Sequence, residues 1–127
     1  MLIDAFTYVE NAQAFKVHVL GDGPLKETLT DYAQEKGLDS VFVWHGHIPR
    51  EKVLKTIQNA DLQVITSVSE ANTTVIWEAI QNGIPTMSLD HCGMRDIITD
   101  NSGIKINLAN YPEVVKEFGT TLNNISK

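Results

Sequence analysis

The chain has one cysteine, Cys92, in 127 residues, which excludes an internal disulfide and suits a reducing compartment. No uninterrupted apolar run comes near the roughly 18 residues that a bilayer-crossing helix needs, so no segment reads as a membrane span. Basic residues are scarce: 10 Lys and Arg stand against 16 Asp and Glu, a formal charge of −6. Phosphate backbones are gripped by clustered cations, and none are clustered here, so nucleic acid is not an expected partner. The opening MLIDAFTYVENAQ lacks the basic start and apolar core of a secretory leader, which predicts a cytoplasmic protein. No repeat, low-complexity tract or Pro-rich linker divides the chain. Its length predicts one domain over residues 1–127 with a single core.

Metal chemistry is also undersupplied. His45 and His47 flank Gly46 but lack the further ligands of a zinc site. His91 and Cys92 are adjacent, and neighbouring side chains in an extended loop diverge rather than form a nucleophile and base. There is no Asp-x-Asp pair to hold magnesium against a diphosphate. No metal site and no cofactor are expected.

What is present is an alternation of short β-branched runs and longer amphipathic stretches. Leu2, Ile3, Phe6 and Val9 recur at helical spacing, so the chain opens in a helix. Strands are predicted over Phe15–Leu20, Val41–Trp44, Asp61–Thr66, from Pro85 to Leu89, and over Gly103–Ile106. Helices are predicted from Pro24 with Leu25, Leu29, Tyr32 and Ala33 facing inward, over Glu51–Asn59, Thr73–Asn82 and Arg95–Thr99, and from about Pro112. Gly37 and Gly83 stand where helices stop. Strands separated by helices imply parallel pairing in an open α/β sheet, Rossmann-like, with helices on both faces. Ligands of such sheets bind at the C-terminal strand edge.

Two segments at that edge carry chemistry. GDGP follows the first strand, but Lys26 stands where a dinucleotide fingerprint needs its third glycine, and no acid ends a strand about 20 residues on. Gly21 and Gly23 permit close ligand approach; a plain tight turn explains them equally. The second segment is SVSEANTTVIWEAIQNGIP, Ser67 to Pro85. Asn72 suits an N-cap, and the amides of Thr73, Thr74 and Val75 would lie unpaired at a helix start that favours phosphate. Glu78 falls one turn deeper on the face of Thr74, and Glu70 reaches from the loop ahead. Amides for a diphosphate between carboxylates for hydroxyl groups suit a sugar nucleotide; a capped helix with two solvated glutamates is the plainer alternative.

GDGP after a strand, VFVWHG, NADLQVITSVSE, the Glu70 to Glu78 spacing, EAIQNGIPTMSLD and CGM in the next loop together resemble the C-terminal, donor-binding half of GT-B fold, family 4 retaining glycosyltransferases. The similarity extends to about Ile106, and the CGM version looks like bacterial capsule, exopolysaccharide or lipopolysaccharide transferases. The resemblance implies a UDP- or GDP-sugar donor, no required metal, and a glycan or lipid-linked acceptor bound by a separate N-terminal domain. It implies that Glu70 acts as the catalytic carboxylate at the donor sugar and that Glu78 holds the ribose hydroxyls. The Thr73, Thr74 and Val75 amides, with Asn72 beside them, would receive the diphosphate. The backbone of His47 and Ile48 would lie near the base, and Gly21 and Gly23 would leave room at the edge.

Two departures qualify this. Ala71-Asn72-Thr73 follow Glu70 where the family often has glycines. The family's first strand, and the Arg and Lys of its loop, have no counterpart here, so the sequence is expected to be an inactive fragment of a larger two-domain enzyme. That enzyme is expected in the cytoplasm or peripheral at the inner face of the membrane. The strands Phe15–Leu20 and Asp61–Thr66 are expected to pair directly, or to leave a gap that another chain fills in a homo-oligomer. A non-catalytic sugar-nucleotide-binding module and half of a GT-B sugar-nucleotide epimerase remain as alternatives.

Overall fold

The computed structural model describes residues 1–69 and 73–127. The chain divides into two compact units, Met1–Arg50 with Val115–Lys127, and Glu51–Val114.

In the first unit, α1 (Leu2–Ala5) runs into a 3-10 turn at Phe6–Tyr8, and a second such turn spans Ala12–Ala14. The apolar spacing predicted here is real, since Ile3, Phe6 and Val9 are buried, although the regular helix lasts only four residues. β1 (Val17–Leu20) pairs in parallel with β2 (Phe42–Gly46), and α2 (Lys26–Glu35) connects them. The register runs Val17↔Phe42, His18↔Val43 and Val19↔Trp44, then slips to Leu20↔Gly46, leaving His45 as the extra residue of a bulge. Phe6 meets Phe15 and Phe42 edge to face, each at 5.4 Å between ring centres. Gly119 of α6 (Tyr111–Ile125) packs so closely on Ala5 and Tyr8 that a Cβ there would meet the Ala5 carbonyl.

Two expectations for α2 are corrected. The helix begins at Lys26, not Pro24, because Pro24 and Leu25 form a turn closed by Lys26 N–H donating to the Gly23 carbonyl at 3.1 Å. Its intended inner face is largely uncovered: Ala33 is fully buried, but Leu25 is 62% and Leu29 38% exposed. Tyr32 instead donates its hydroxyl to Asp4 Oδ1 at 2.6 Å, a bond that raises the phenol above its ordinary range.

In the second unit, β3 (Gln63–Ile65), β4 (Thr86–Leu89) and β5 (Gly103–Ile106) form a parallel sheet with β4 in the middle. All four β4 residues are buried, as expected of a strand with neighbours on both sides in a covered parallel sheet. α3 (Arg50–Gln58) precedes β3, α4 (Thr73–Gln81) links β3 to β4, and α5 (Gly93–Ile97) links β4 to β5. α4 stops where Gly83 predicts: Gly83 N–H donates to Ile80 and Ile84 N–H to Ala79, with Gly83 at φ 70°. α5 starts two residues earlier than the sequence predicts. Ile76, Met94 and Ile98 form a buried cluster flanked by Ile65, Ile80 and Ile97. Asn110 caps α6, its Oδ1 accepting from Glu113 N–H at 3.1 Å.

The fold is α/β with parallel sheets flanked by helices, as the strand and helix order implies. The first unit holds the sheet β1-β2 and the second the sheet β3-β4-β5. The expected direct pairing of the first and third strands is not made: among the described residues β1 has only β2 beside it, and β3 only β4.

Candidate functional site

The second unit carries the helix on which the sugar-nucleotide reading rests. Glu70 and Asn72 lie outside the described residues, and of Thr73 only its place at the start of α4 is described. Thr74 is exposed, Val75 half-buried, and Ile76 fully buried in the apolar cluster. Ile76 and Ala79 turn one face of α4 inward, so Thr74 is left outward at the end where a helix presents its first amides. Glu78, one turn on, is only 8% exposed, and is therefore not the solvated glutamate of the plainer alternative. Its main-chain carbonyl accepts from Asn82 Nδ2 at 2.7 Å.

Two residues that sequence reasoning missed fix this helix. Gln63, the first residue of β3, donates from Nε2 to the Val75 carbonyl at 3.2 Å. Its Oε1 accepts from the hydroxyl of Thr86, the first residue of β4, at 2.9 Å. A polar residue opening an otherwise apolar strand was the available signal.

The loop after β4 is held by Arg95, whose Nε lies 3.2 Å from Asp90 Oδ1 and whose Nη2 donates to the Asp90 carbonyl. Cys92 in this loop has φ 49° and ψ −144°, a conformation natural to glycine and strained for other residues. No group of three or more His, Cys, Asp or Glu suited to a metal ion occurs among the described residues.

The first unit holds the other candidates. Gly21, at φ 118°, donates its N–H to the Gly46 carbonyl at 3.0 Å, joining the C-terminal ends of β1 and β2. Gly23 is exposed and its N–H is taken by Asp22 Oδ1 at 3.0 Å. His47 is exposed and Ile48 half-buried in the turn after β2. Gly21 is thus brought beside the residue preceding His47. Lys26, another residue not foreseen, lies across Gly46: its Nζ is 3.0 Å from where a Cβ would stand. The φ of 67° is what favours glycine at this position, since the Lys26 ammonium at the end of its flexible side chain could move aside. His18 Nδ1 and His45 Nε2 face one another at 2.8 Å with rings stacked at 5.0 Å, so one imidazole donates and the other accepts. Burial lowers the His18 pKa from its ordinary value, helped by His45 and Lys16.

No helix among the described residues is long and apolar enough to cross a membrane. A lipopolysaccharide 1,6-galactosyltransferase of Escherichia coli (strain K12) is 37% identical over 87 residues, which cover 66% of this chain and 24% of that protein. Among solved structures, the apo form of the lipopolysaccharide outer core galactosyltransferase WaaB superposes with a TM-score of 0.73 at 27% identity, over 96% of this chain and 34% of that one. A pneumococcal O-GlcNAc transferase GtfA, solved with UDP and GlcNAc, superposes at a TM-score of 0.83 over 97% of this chain and 25% of its own, with 15% identity, a likeness of fold alone. The chain thus spans about a quarter of the length of the galactosyltransferase it matches in sequence. The sequence pattern described as "Glycosyl transferases group 1" matches residues 1–123. This chain belongs to the glycosyl transferases group 1 family.

Proposed function

We propose that this chain is the donor-binding part of a retaining glycosyltransferase of the GT-B, family 4 kind, moving a hexose from a UDP- or GDP-sugar to a glycan or lipid-linked acceptor. The two galactosyltransferases named above carry lipopolysaccharide in their descriptions, which supports a role in bacterial surface polysaccharide synthesis. The observation that carries the reading is the buried Glu78 one turn below the outward-facing start of α4. An ionised carboxylate accepts about four hydrogen bonds, enough to take both hydroxyls of a ribose. Helix-start amides suit the adjoining diphosphate without a metal.

In this reading the bond from the anomeric carbon to the diphosphate oxygen breaks, and its electron pair leaves with the nucleotide. The acceptor hydroxyl bonds to the same face of that carbon, and its proton ends on the departing nucleoside diphosphate. Glu70 stabilises the positive charge that develops on the sugar ring, where contacts strengthen in the transition state. Glu78 holds the ribose, and the amides of Thr73 to Val75 meet the diphosphate. Saturation-transfer NMR against UDP-, GDP- and ADP-hexoses tests the reading. Saturation of a UDP- or GDP-hexose, displaced by the matching nucleoside diphosphate, is the expected result; no transfer to any of them would overturn it.

A further inference from the structure

Apolar packing holds α4 on its sheet through Ile76 and its cluster with Met94 and Ile98. Such contacts are non-directional and supply no hydrogen bond between the helix and its sheet. Among the described residues, Gln63 makes a directional link between β3 and the first turn of α4. Its side-chain amide spans two elements, donating to the Val75 carbonyl at 3.2 Å and accepting from the Thr86 hydroxyl at 2.9 Å. The orientation of the amide is determined by chemistry: a carbonyl only accepts, so Nε2 must face Val75. The Thr86 hydroxyl, fully buried on the central strand, then satisfies Oε1. The Gln63 main chain is itself anchored, its N–H donating to the Pro85 carbonyl at 2.9 Å.

We infer that Gln63, oriented by Thr86, is the positioning residue that sets where the first turn of α4 stands on its sheet, and through that turn the grip on the donor diphosphate. This rests on the donor-binding reading of α4 given above. Gln63 does not touch the donor in this account; it acts on the helix backbone that does.

The test uses the full 127-residue chain in two arms. The first is amide hydrogen exchange at Trp77, Glu78 and Ala79, whose N–H groups close the first turns of α4 through bonds to the fourth residue before them. The second is UDP titration followed by NMR. Gln63→Glu keeps the size but sets an acceptor against the Val75 carbonyl, and Gln63→Met removes both bonds. Both should speed exchange at the three amides and weaken UDP binding, each by roughly tenfold. Thr86→Val should shift both readouts in the same direction by less, and Thr86→Ser, which keeps the hydroxyl, should restore them. Asn59→Ala removes a comparable side-chain bond to the Lys55 carbonyl on α3 and should move neither. Wild-type exchange in both Gln63 variants overturns the inference, as does faster exchange with unchanged UDP affinity. If the wild-type chain binds no UDP, the donor reading fails by itself, and the exchange arm still decides whether Gln63 positions α4.

Discussion

α2 and α4 are helices of ten and nine residues, each following a strand of a parallel sheet and each carrying apolar residues at helical spacing. In α4 that spacing is used: Ile76 and Ala79 are fully buried, and α4 packs on α5 and β4. In α2 only Ala33 is fully buried, while Leu29, and Leu25 just ahead of the helix, remain exposed. Spacing determines which residues share a face. Whether that face is covered depends on the neighbouring element, which spacing does not describe. α4 has the Ile76 cluster beneath it and Gln63 fixing its first turn, and α2 has chiefly Ala33 and the Tyr32 to Asp4 bond.

The largest effect that would break this comparison is on stability. Ile76→Ala should cost about 2–5 kcal/mol, the range for emptying a buried aliphatic site, whereas Leu29→Ala should stay within about 1 kcal/mol; urea unfolding of both variants decides. Next in size is binding. Glu78→Ala should weaken nucleotide affinity by about 1.5–3 kcal/mol, the worth of hydrogen bonds to a charged group, and Glu27→Ala on α2 should leave titration calorimetry unchanged.

Gly103→Ala probes the sheet beneath α4. A Cβ there would meet the Thr86 carbonyl and come within 3.0 Å of Ile98 Cγ2, so a loss of about 1–3 kcal/mol is expected in denaturant. Cys92→Gly should act in the other direction, stabilising by about 1 kcal/mol through relief of the strained backbone ahead of α5, seen as a raised midpoint. The smallest effect belongs to the first unit. Because His18 has a lowered pKa in the fold, its neutral form is favoured there. Its contribution is complete above the imidazole's ordinary 6.5 and is lost as pH falls through the lower folded value. His18→Gln should flatten that part of the pH–stability curve.

Much of this architecture could be read from the residues. The strands and helices fall where β-branched runs and amphipathic stretches place them, and Gly83 ends α4 because only a glycine takes its conformation cheaply. The burial of Glu78 was hidden, since a glutamate on a helix face reads the same whether solvent or a neighbouring element lies beside it. Gln63 and Thr86 were hidden for a related reason: their bonds join residues 23 apart in sequence, and no local pattern encodes such a partner. The alternation of strands and helices specifies parallel pairing but not which strands become neighbours, so the place of β4 between β3 and β5 was not legible. The place of Lys26 was hidden for the same reason, because its side chain lies across Gly46, far along the sequence.

The central claim is that α4 receives the diphosphate of a nucleotide-sugar donor. Titrating the isotope-labelled chain with UDP and following every backbone amide tests it most directly. The account predicts that the largest shift changes fall on Thr74, Val75 and the residues through Glu78, and that they shrink in Glu78→Ala. Shift changes confined to α2, or saturable binding that leaves the amides of α4 unmoved, would contradict it.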